Sequence, residues 1–326
     1  MKSTLVSVVI VTFLSLIYSG TGLAQEPARE GLADGKVSFN LGADIGNLSG
    51  YTLYNIKIPG KFPGDYPFTE AESELEFPLD SWIGGLNASV GKKGLWSIDL
   101  SLAKNLTGDT GKTKDSDWLT VGYGYKWKTG NTREKFIYSE SDTKMDAFLL
   151  DLNGRYGSKG AFLIGGYRYQ NFSFDLSNGN QSSPIGLLPP SYVSGKVATY
   201  EITYKIPYGG IGFDIRPSSK FSINLLGVYG WANAEDKDDH ILRSKRSTAE
   251  ADGSFYSIKA QGDLSLSKNL SLLAAIEYLK IDANGTQDQV RYAATDEGPA
   301  GTIATGIDYK AESEQLYFWA GVKYVF

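Results

Sequence analysis

The feature that most limits the fold is a period of two in polarity, repeated along the chain. Near the end, Leu316, Phe318, Ala320, Val322, Tyr324 and Phe326 share one parity, and Gln315, Tyr317, Trp319, Gly321 and Lys323 share the other. The same split sets Tyr256, Ile258, Ala260, Gly262, Leu264 and Leu266 against Ser257, Lys259, Gln261, Asp263 and Ser265. It sets Trp96, Ile98, Leu100 and Leu102 against Ser97, Asp99 and Ser101, and Phe148, Leu150 and Leu152 against Asp151, Asn153 and Arg155. Successive side chains of an extended chain point to opposite faces, so each stretch is a strand with one apolar and one polar face. The longest uncharged run of the chain past its N-terminal region, Leu176 to Gly195, is rich in Ser, Asn, Gln, Gly and Pro and reads as a loop, not a spanning helix.

A soluble β-sandwich would alternate too, but three features favour a membrane barrel. The polar faces carry charges, as a barrel lumen does. Aromatics (Trp96, Tyr156, Tyr256, Tyr324) sit near the ends of the apolar faces, where a membrane interface would lie. The connectors alternate in length: short at Gly91–Gly94, Gly157–Gly160, Pro217–Lys220 and Ser267–Asn269, long near 56–72, 108–141, 177–194, 236–252 and 284–305. The expectation is all-β: a ten-stranded antiparallel transmembrane β-barrel with short periplasmic turns and long extracellular loops. Its strands are placed near 37–55, 73–90, 95–107, 142–156, 161–176, 196–216, 221–235, 253–266, 270–283 and 306–326. The apolar parity changes at Gly84-Gly85, read as a bulge, and again near Gln170.

The N-terminal region reads as an address. Lys2 is the only charge before Glu26, Leu5 to Ile17 is apolar, and Gly22-Leu23-Ala24 offers a small-residue cleavage site. Residues 1–24 are expected to be a signal peptide and residues 25–326 the barrel, in the outer membrane of a Gram-negative cell. The chain ends on an aromatic, Phe326, like the terminal residue read by outer-membrane assembly machinery.

Composition narrows the chemistry. With no Cys, thiol nucleophiles and Cys-ligated zinc are excluded. With one His, no site can use two histidines, and no metal site is expected. A net charge of −5 argues against nucleic acid as a partner. The polar constellations are Asp115-Ser116-Asp117-Trp118, after the third expected strand, and Asp236-Lys237-Asp238-Asp239-His240, at the top of the seventh. Inward parity on that strand is even, so Asp236, Asp238 and His240 would face the interior. A lone Asp-x-Asp is usually solvated or a weak calcium site, and an acidic run beside a His is usually hydrophilic loop. Both at one barrel end, with the chain's sole His, are less ordinary.

Together these segments resemble the omptin family of outer-membrane proteases, over nearly the whole chain. Ile45 to Thr52 is similar to the family's Leu-Ser-Gly-x-Thr segment, and Ser73 to Phe77 to its next strand. Asp115 to Trp118 matches its Asp-x-Asp-Trp motif, Ile206 to Ile211 its Met-Pro-Tyr-Ile-Gly turn, and Asp236 to His240 its Asp-Asn-Asp-Glu-His motif. Ala320 to Phe326 looks like the family terminus. The resemblance implies an endopeptidase with catalytic Asp115, Asp117, Asp238 and His240. Asp238 would orient His240, His240 would act as general base on a water, and Asp115 and Asp117 would hold that water. Asp236 would bind substrate in an acidic pocket suited to basic residues, together with Tyr54, which stands where the family has Glu. No cofactor is required for this chemistry. Lipopolysaccharide is a candidate activator: Tyr167 has the family's residue type, whereas Asn171 and Thr203 stand where Arg is expected. The implied partners are polypeptide substrates and outer-membrane lipid, with the barrel a monomer. The rival reading is a non-catalytic barrel with a structural or adhesive role, and a weaker third is a narrow pore. A basic pair in an expected loop, Lys245-Arg246, is either an ordinary solvated pair, the commoner case, or a site of self-cleavage.

Overall fold

The computed structural model describes residues 37–59, 68–92, 94–121, 132–158, 160–186, 188–295 and 298–326, so the expected signal peptide lies outside the described residues. Twelve strands account for most of them: β1 (Val37–Pro59), β2 (Phe68–Pro78), β3 (Ser81–Lys92), β4 (Trp96–Asn105), β5 (Asp109–Val121), β6 (Thr132–Ser158), β7 (Ala161–Ser182), β8 (Ser191–Ile215), β9 (Phe221–His240), β10 (Lys245–Ser265), β11 (Leu270–Arg291) and β12 (Ile303–Val325). Neighbours pair antiparallel, and β1 pairs with β12 from Asn40↔Val325 to Lys57↔Asp308, which closes the sheet on itself.

Twelve strands make ten staves. β2 and β3 both pair with β1, and Leu48↔Ser81 and Tyr51↔Pro78 keep one register across the break at Leu79-Asp80. β4 and β5 likewise share β6. At the first break the Leu79 amide still donates to the Gly50 carbonyl at 3.1 Å. Gly50 has φ +119°, and a Cβ there would meet the Glu314 carbonyl oxygen at 2.0 Å, so this kink requires glycine.

The expected strand bounds are corrected mainly at one end. The strands run well past them: β5, the start of β6, the end of β9 and the start of β10 occupy much of what read as the long loops 108–141 and 236–252. The connection between β9 and β10 shrinks to a single 3-10 turn, Ile241–Arg243, followed by Ser244 in the left-handed region. Lys245-Arg246 is therefore strand. It pairs with His240 and Asp239 on one side and with Arg291 and Val290 on the other, and Arg246 bonds Asp239 at 2.9 Å.

The two apparent parity switches have a different cause from a bulge. Strand register is continuous at Gly84-Gly85 and at Gln170. What changes is the surroundings. On β7 the outer face runs Leu163, Tyr167, then Asn171, Ser173, Asp175, while the inner face runs Arg168, Gln170, then Phe172, Phe174, Leu176. On β2 and β3, Leu75, Phe77 and Leu79 point inward opposite outward Glu72, Glu74 and Glu76, whereas Trp82 and Leu86 point outward further down. Near the short turns the barrel is apolar outside and polar inside, as lipid demands. Toward the far end it is polar outside and apolar inside, as water demands. On β9 the apolar outer stretch runs from Phe221 to Trp231, after which come Asn233, Glu235 and Lys237. At ~3.4 Å per residue and a tilt of about 40°, it covers about 25 Å, the height of a membrane barrel's apolar band.

The part above that band has its own core. Phe77 stacks on Tyr200 with ring centroids 4.2 Å apart and an interplanar angle of 7°, and Phe174 packs on Phe77 at 4.9 Å. Below it the lumen is plugged. Arg168 bridges Asp151 and Glu277, both at 2.8 Å, and Gln170 bonds Gln315 and Tyr317, both at 3.0 Å. A lumen crossed by this bonded layer argues against the pore reading. Phe77→Ala is expected to cost about 3–5 kcal/mol of stability, the range for emptying a packed phenylalanine site. Leu86→Ala, on the lipid-facing wall, is expected to cost much less. Thermal unfolding of both variants in detergent, followed by circular dichroism, checks this ordering.

Candidate active site

The site is built from two walls of the protruding barrel. On β9, residues two apart share a face, so Asp236, Asp238 and His240 all point inward as the parity argument required. On the other wall, Asp115 pairs with Leu75 and Asp117 with Ser73 across β2, and directly opposed residues of an antiparallel pair share a face. Leu75 is a buried core residue, so Asp115 and Asp117 point inward too. Between them Ser116 points out and takes a hydrogen bond from Lys135 Nζ at 2.9 Å. Trp118, also outward, lies under Arg133 at 3.9 Å, and Arg133 bonds Glu72 at 2.6 Å. That outer cladding fixes the β5 segment which carries the two acids.

Asp238 is the centre of the β9 wall. It is 2% exposed, and its Oδ2 meets His240 Nε2 at 2.7 Å. The same Oδ2 accepts a hydrogen bond from Tyr54 Oη at 2.6 Å, and that hydroxyl is 3.5 Å from His240 Nε2. Burial works to raise the Asp238 pKa. The facing His240 charge, its hydrogen bond and that of Tyr54 outweigh it, so the carboxyl stays below the ordinary range. Burial, and then Asp238, Asp115 and Asp236, hold the Tyr54 phenol far above its ordinary value, which makes it a neutral donor.

Asp236 sits one step deeper, 4% exposed. Its Oδ2 accepts from Tyr309 at 2.5 Å and Tyr200 at 3.1 Å, while its Oδ1 is buried without a hydrogen-bond partner among the described residues. Burial pushes its pKa up to about 7. The Tyr309 and Tyr200 hydrogen bonds pull against that, and the Asp238 charge adds to it. Asp115 is partly exposed as a residue, yet its Oδ1 is likewise buried and unpartnered. Burial raises its pKa well above the carboxylate range, as do Asp117 and Asp238, with Arg243 and Lys245 acting the other way. The charges of β9, the 3-10 turn and β10 thus reach Asp115 from the opposite wall, so the structure brings the two acidic motifs into one electrostatic unit.

The geometry defines a class: an outer-membrane-type barrel whose protruding rim holds two carboxylates facing an Asp–His pair. The "Omptin family" model matches residues 86–326. The chain is 24% identical over 232 residues to a plasminogen activator of Yersinia pestis, covering 68% of this chain and 70% of the relative. It is 24% identical over 222 residues to the outer membrane protease OmpP of Escherichia coli strain K12, covering 61% of this chain and 63% of the relative. The crystal structure of the outer membrane protease OmpT from Escherichia coli superposes with a TM-score of 0.68 at 17% identity, covering 94% of this chain and 100% of that one. The chain belongs to the omptin family and is a barrel of the outer membrane.

Sequence reasoning did not find Tyr200, Tyr309 or Phe77 as parts of the site. Inward parity on β8 and β12 carried the signal for the tyrosines, but apolar inner faces looked like lipid-facing ones. One consequence concerns stability. Asp115 holds its proton more tightly when folded than when unfolded, so its contribution to stability falls as pH rises from its unfolded pKa through its raised folded value, and stays unfavourable above. Asp115→Asn removes this term. The variant is expected to unfold at a higher temperature than wild type at pH 8, with the difference shrinking at acid pH, as thermal melts across pH would show.

Proposed function

We propose that this chain is an outer-membrane endopeptidase that hydrolyses peptide bonds with water activated by His240. The observation that carries the reading is the short His240–Asp238 contact placed opposite Asp115 and Asp117. Asp238 binds Nε2 of the imidazole, which leaves Nδ1 to take a proton from water. The resulting imidazolium is stabilised by the ionised Asp238 beside it. Asp115 and Asp117 hold the water and orient it toward the peptide carbonyl. The proton then passes from His240 to the leaving amine. No covalent intermediate is involved, in keeping with a chain that has no Cys.

Preference for basic residues is part of the proposal. Asp236 supports it, because a buried carboxylate oxygen without a partner is an acceptor that a guanidinium or ammonium would satisfy. Lipopolysaccharide enters as a proposed activator on the outer wall. There Tyr167 is 40% exposed, and Asn171 spends its amide on Glu201 and Thr203, both at 2.9 Å. The positions in question carry neutral groups, so any dependence on lipopolysaccharide is expected to be weak.

The test is a mixed peptide library, digested by wild type and by His240→Ala refolded with and without lipopolysaccharide, with products sequenced by mass spectrometry. A positioned general base contributes about 10²–10⁴-fold, so the variant is expected to cleave slower by that factor. Equal products from both proteins at every pH would sink the reading and leave a passive barrel with an acidic binding rim. A second expectation concerns pH. Asp236 is neutral below about pH 7 and charged above it. The ratio of kcat/KM for a Lys or Arg peptide to that for its Gln counterpart is therefore expected to rise from pH 6 to pH 8, and to lose that rise in Asp236→Asn.

A further inference from the structure

Tyr54 occupies the place where a substrate-binding acid is expected, yet it is a neutral side chain packed into the core. It is 2% exposed, and its backbone is paired on both sides, with Leu75 of β2 and Ala311 of β12. Three rings hold its own ring: Tyr200 at 5.3 Å, Tyr309 at 6.0 Å and Phe77 at 6.3 Å. A tyrosine has only two side-chain torsions, and with the ring packed in this way its hydroxyl is fixed. That hydroxyl lands on Oδ2 of Asp238, the oxygen that also faces His240.

We propose that Tyr54 is a positioning residue of the water-activating unit: its hydroxyl holds Asp238 in the orientation that aims His240, and its ring closes the floor beneath that pair. This rests on the endopeptidase reading above and extends it to a residue that touches neither water nor substrate. Asp238 is buried, and a buried carboxylate needs more than one donor to keep its charge. His240 supplies one donor from the same strand and Tyr54 supplies a second from the facing stave. The other charged groups around Asp238 are Lys245 on β10, Asp236 on β9 and Asp115 on the opposite wall. Asp236 has its Oδ2 on Tyr309 and Tyr200, and among the described residues the Oδ1 atoms of Asp236 and Asp115 make no hydrogen bond. Lys245 begins β10 at the rim, where it is paired across from His240. Tyr54 is therefore the neutral donor that shares Oδ2 with the imidazole. The aromatic packing becomes intelligible in this light: Phe77, Tyr200 and Tyr309 fix a hydroxyl that must not swing.

The experiment uses the full chain refolded into detergent with lipopolysaccharide, as wild type, Tyr54→Phe, Leu86→Ala and His240→Ala. The substrate is the peptide that wild type cleaves fastest in the library. Tyr54→Phe keeps the ring and loses only the hydroxyl. A hydrogen bond to a charged group is worth about 1.5–3 kcal/mol, so kcat is expected to fall about tenfold or more. KM is expected to stay within about threefold, since no substrate contact is removed. The acid limb of the kcat profile is expected to move to higher pH, because Asp238 loses a donor to its ionised form. The chain has one histidine, so its ring nitrogens give the sole histidine ¹⁵N signals. They are expected to move in Tyr54→Phe and to stay in Leu86→Ala, whose side chain lies on the lipid-facing wall, a readout that needs no turnover. Unchanged kcat, pH profile and ¹⁵N signals in Tyr54→Phe, with His240→Ala inactive, would overturn the role of Tyr54 and leave the endopeptidase standing. Absence of cleavage by wild type would instead remove the endopeptidase reading and this inference with it.

Discussion

Everything in this barrel depends on closure of the backbone hydrogen-bond ring. In lipid an unpaired amide or carbonyl has no water to turn to and costs several kcal/mol, so a sheet can cross only without edges. Closure here is the β1–β12 pairing, which runs from Asn40↔Val325 near the short turns to Lys57↔Asp308 near the rim. It extends far above the apolar band, so the same ring that solves the membrane problem also builds a rigid wall in water. The breaks in that wall are confined to places where pairing continues on the neighbouring stave. At Leu79-Asp80 the register against β1 is preserved, and the kink bends the chain without opening an edge.

A wall that rigid turns a period of two into a way of placing side chains. Asp236, Asp238 and His240 reach the interior because they are spaced by two on β9, and Asp115 and Asp117 do so on β5. Neither motif needs a loop to fold over the other, because the circumference of the ring sets them face to face. Precision then depends on what packs behind. On the β5 side, Trp118, Arg133 and Glu72 clamp the outer surface. On the β9 side, Tyr54 of β1 and Tyr309 of β12 reach in from other staves, Tyr200 comes from the adjoining β8, and they end on Asp238 or Asp236. Sites on strands with packed supports hold geometry better than sites on loops, and this one has supports on both walls.

Most of the lower barrel was legible in the sequence, because lipid outside and polar lumen inside produce a period-two alternation of polarity. Ten staves, the short turns and the inward parity of β9 all follow from it. The upper barrel was read less well for a physical reason. Once the wall leaves the membrane its polarity inverts, so Phe172, Phe174 and Leu176 on the inner face of β7 mimic a lipid-facing row and suggest a change of parity. The same inversion made strand ends look like hydrophilic loops, as with Asp115-Ser116-Asp117 and Lys245-Arg246. Asp115, Asp117, Asp238 and His240 could be singled out because the two spaced acidic motifs that carry them resemble those of the omptin family. Tyr200 and Tyr309 could not, since a tyrosine in a strand carries no mark of whether its hydroxyl ends on a carboxylate.

The upper core and the acids are linked energetically. Among the described residues, Asp236 and Asp115 each keep a buried oxygen without a hydrogen-bond partner, and an unsatisfied buried polar atom costs about 1–3 kcal/mol. Such a cost persists only when the surroundings over-determine the conformation. Here the surroundings are the aromatic stack of Phe77, Tyr200 and Phe174 and the closed ring around it. A floppy rim would relax by hydrating these carboxylates or turning them outward, and the electrostatic coupling between Asp115 and Asp238 would be lost. The aromatic interior of the protruding barrel is thus what keeps acidic groups dehydrated and face to face, the condition under which the proposed water activation can operate at neutral pH.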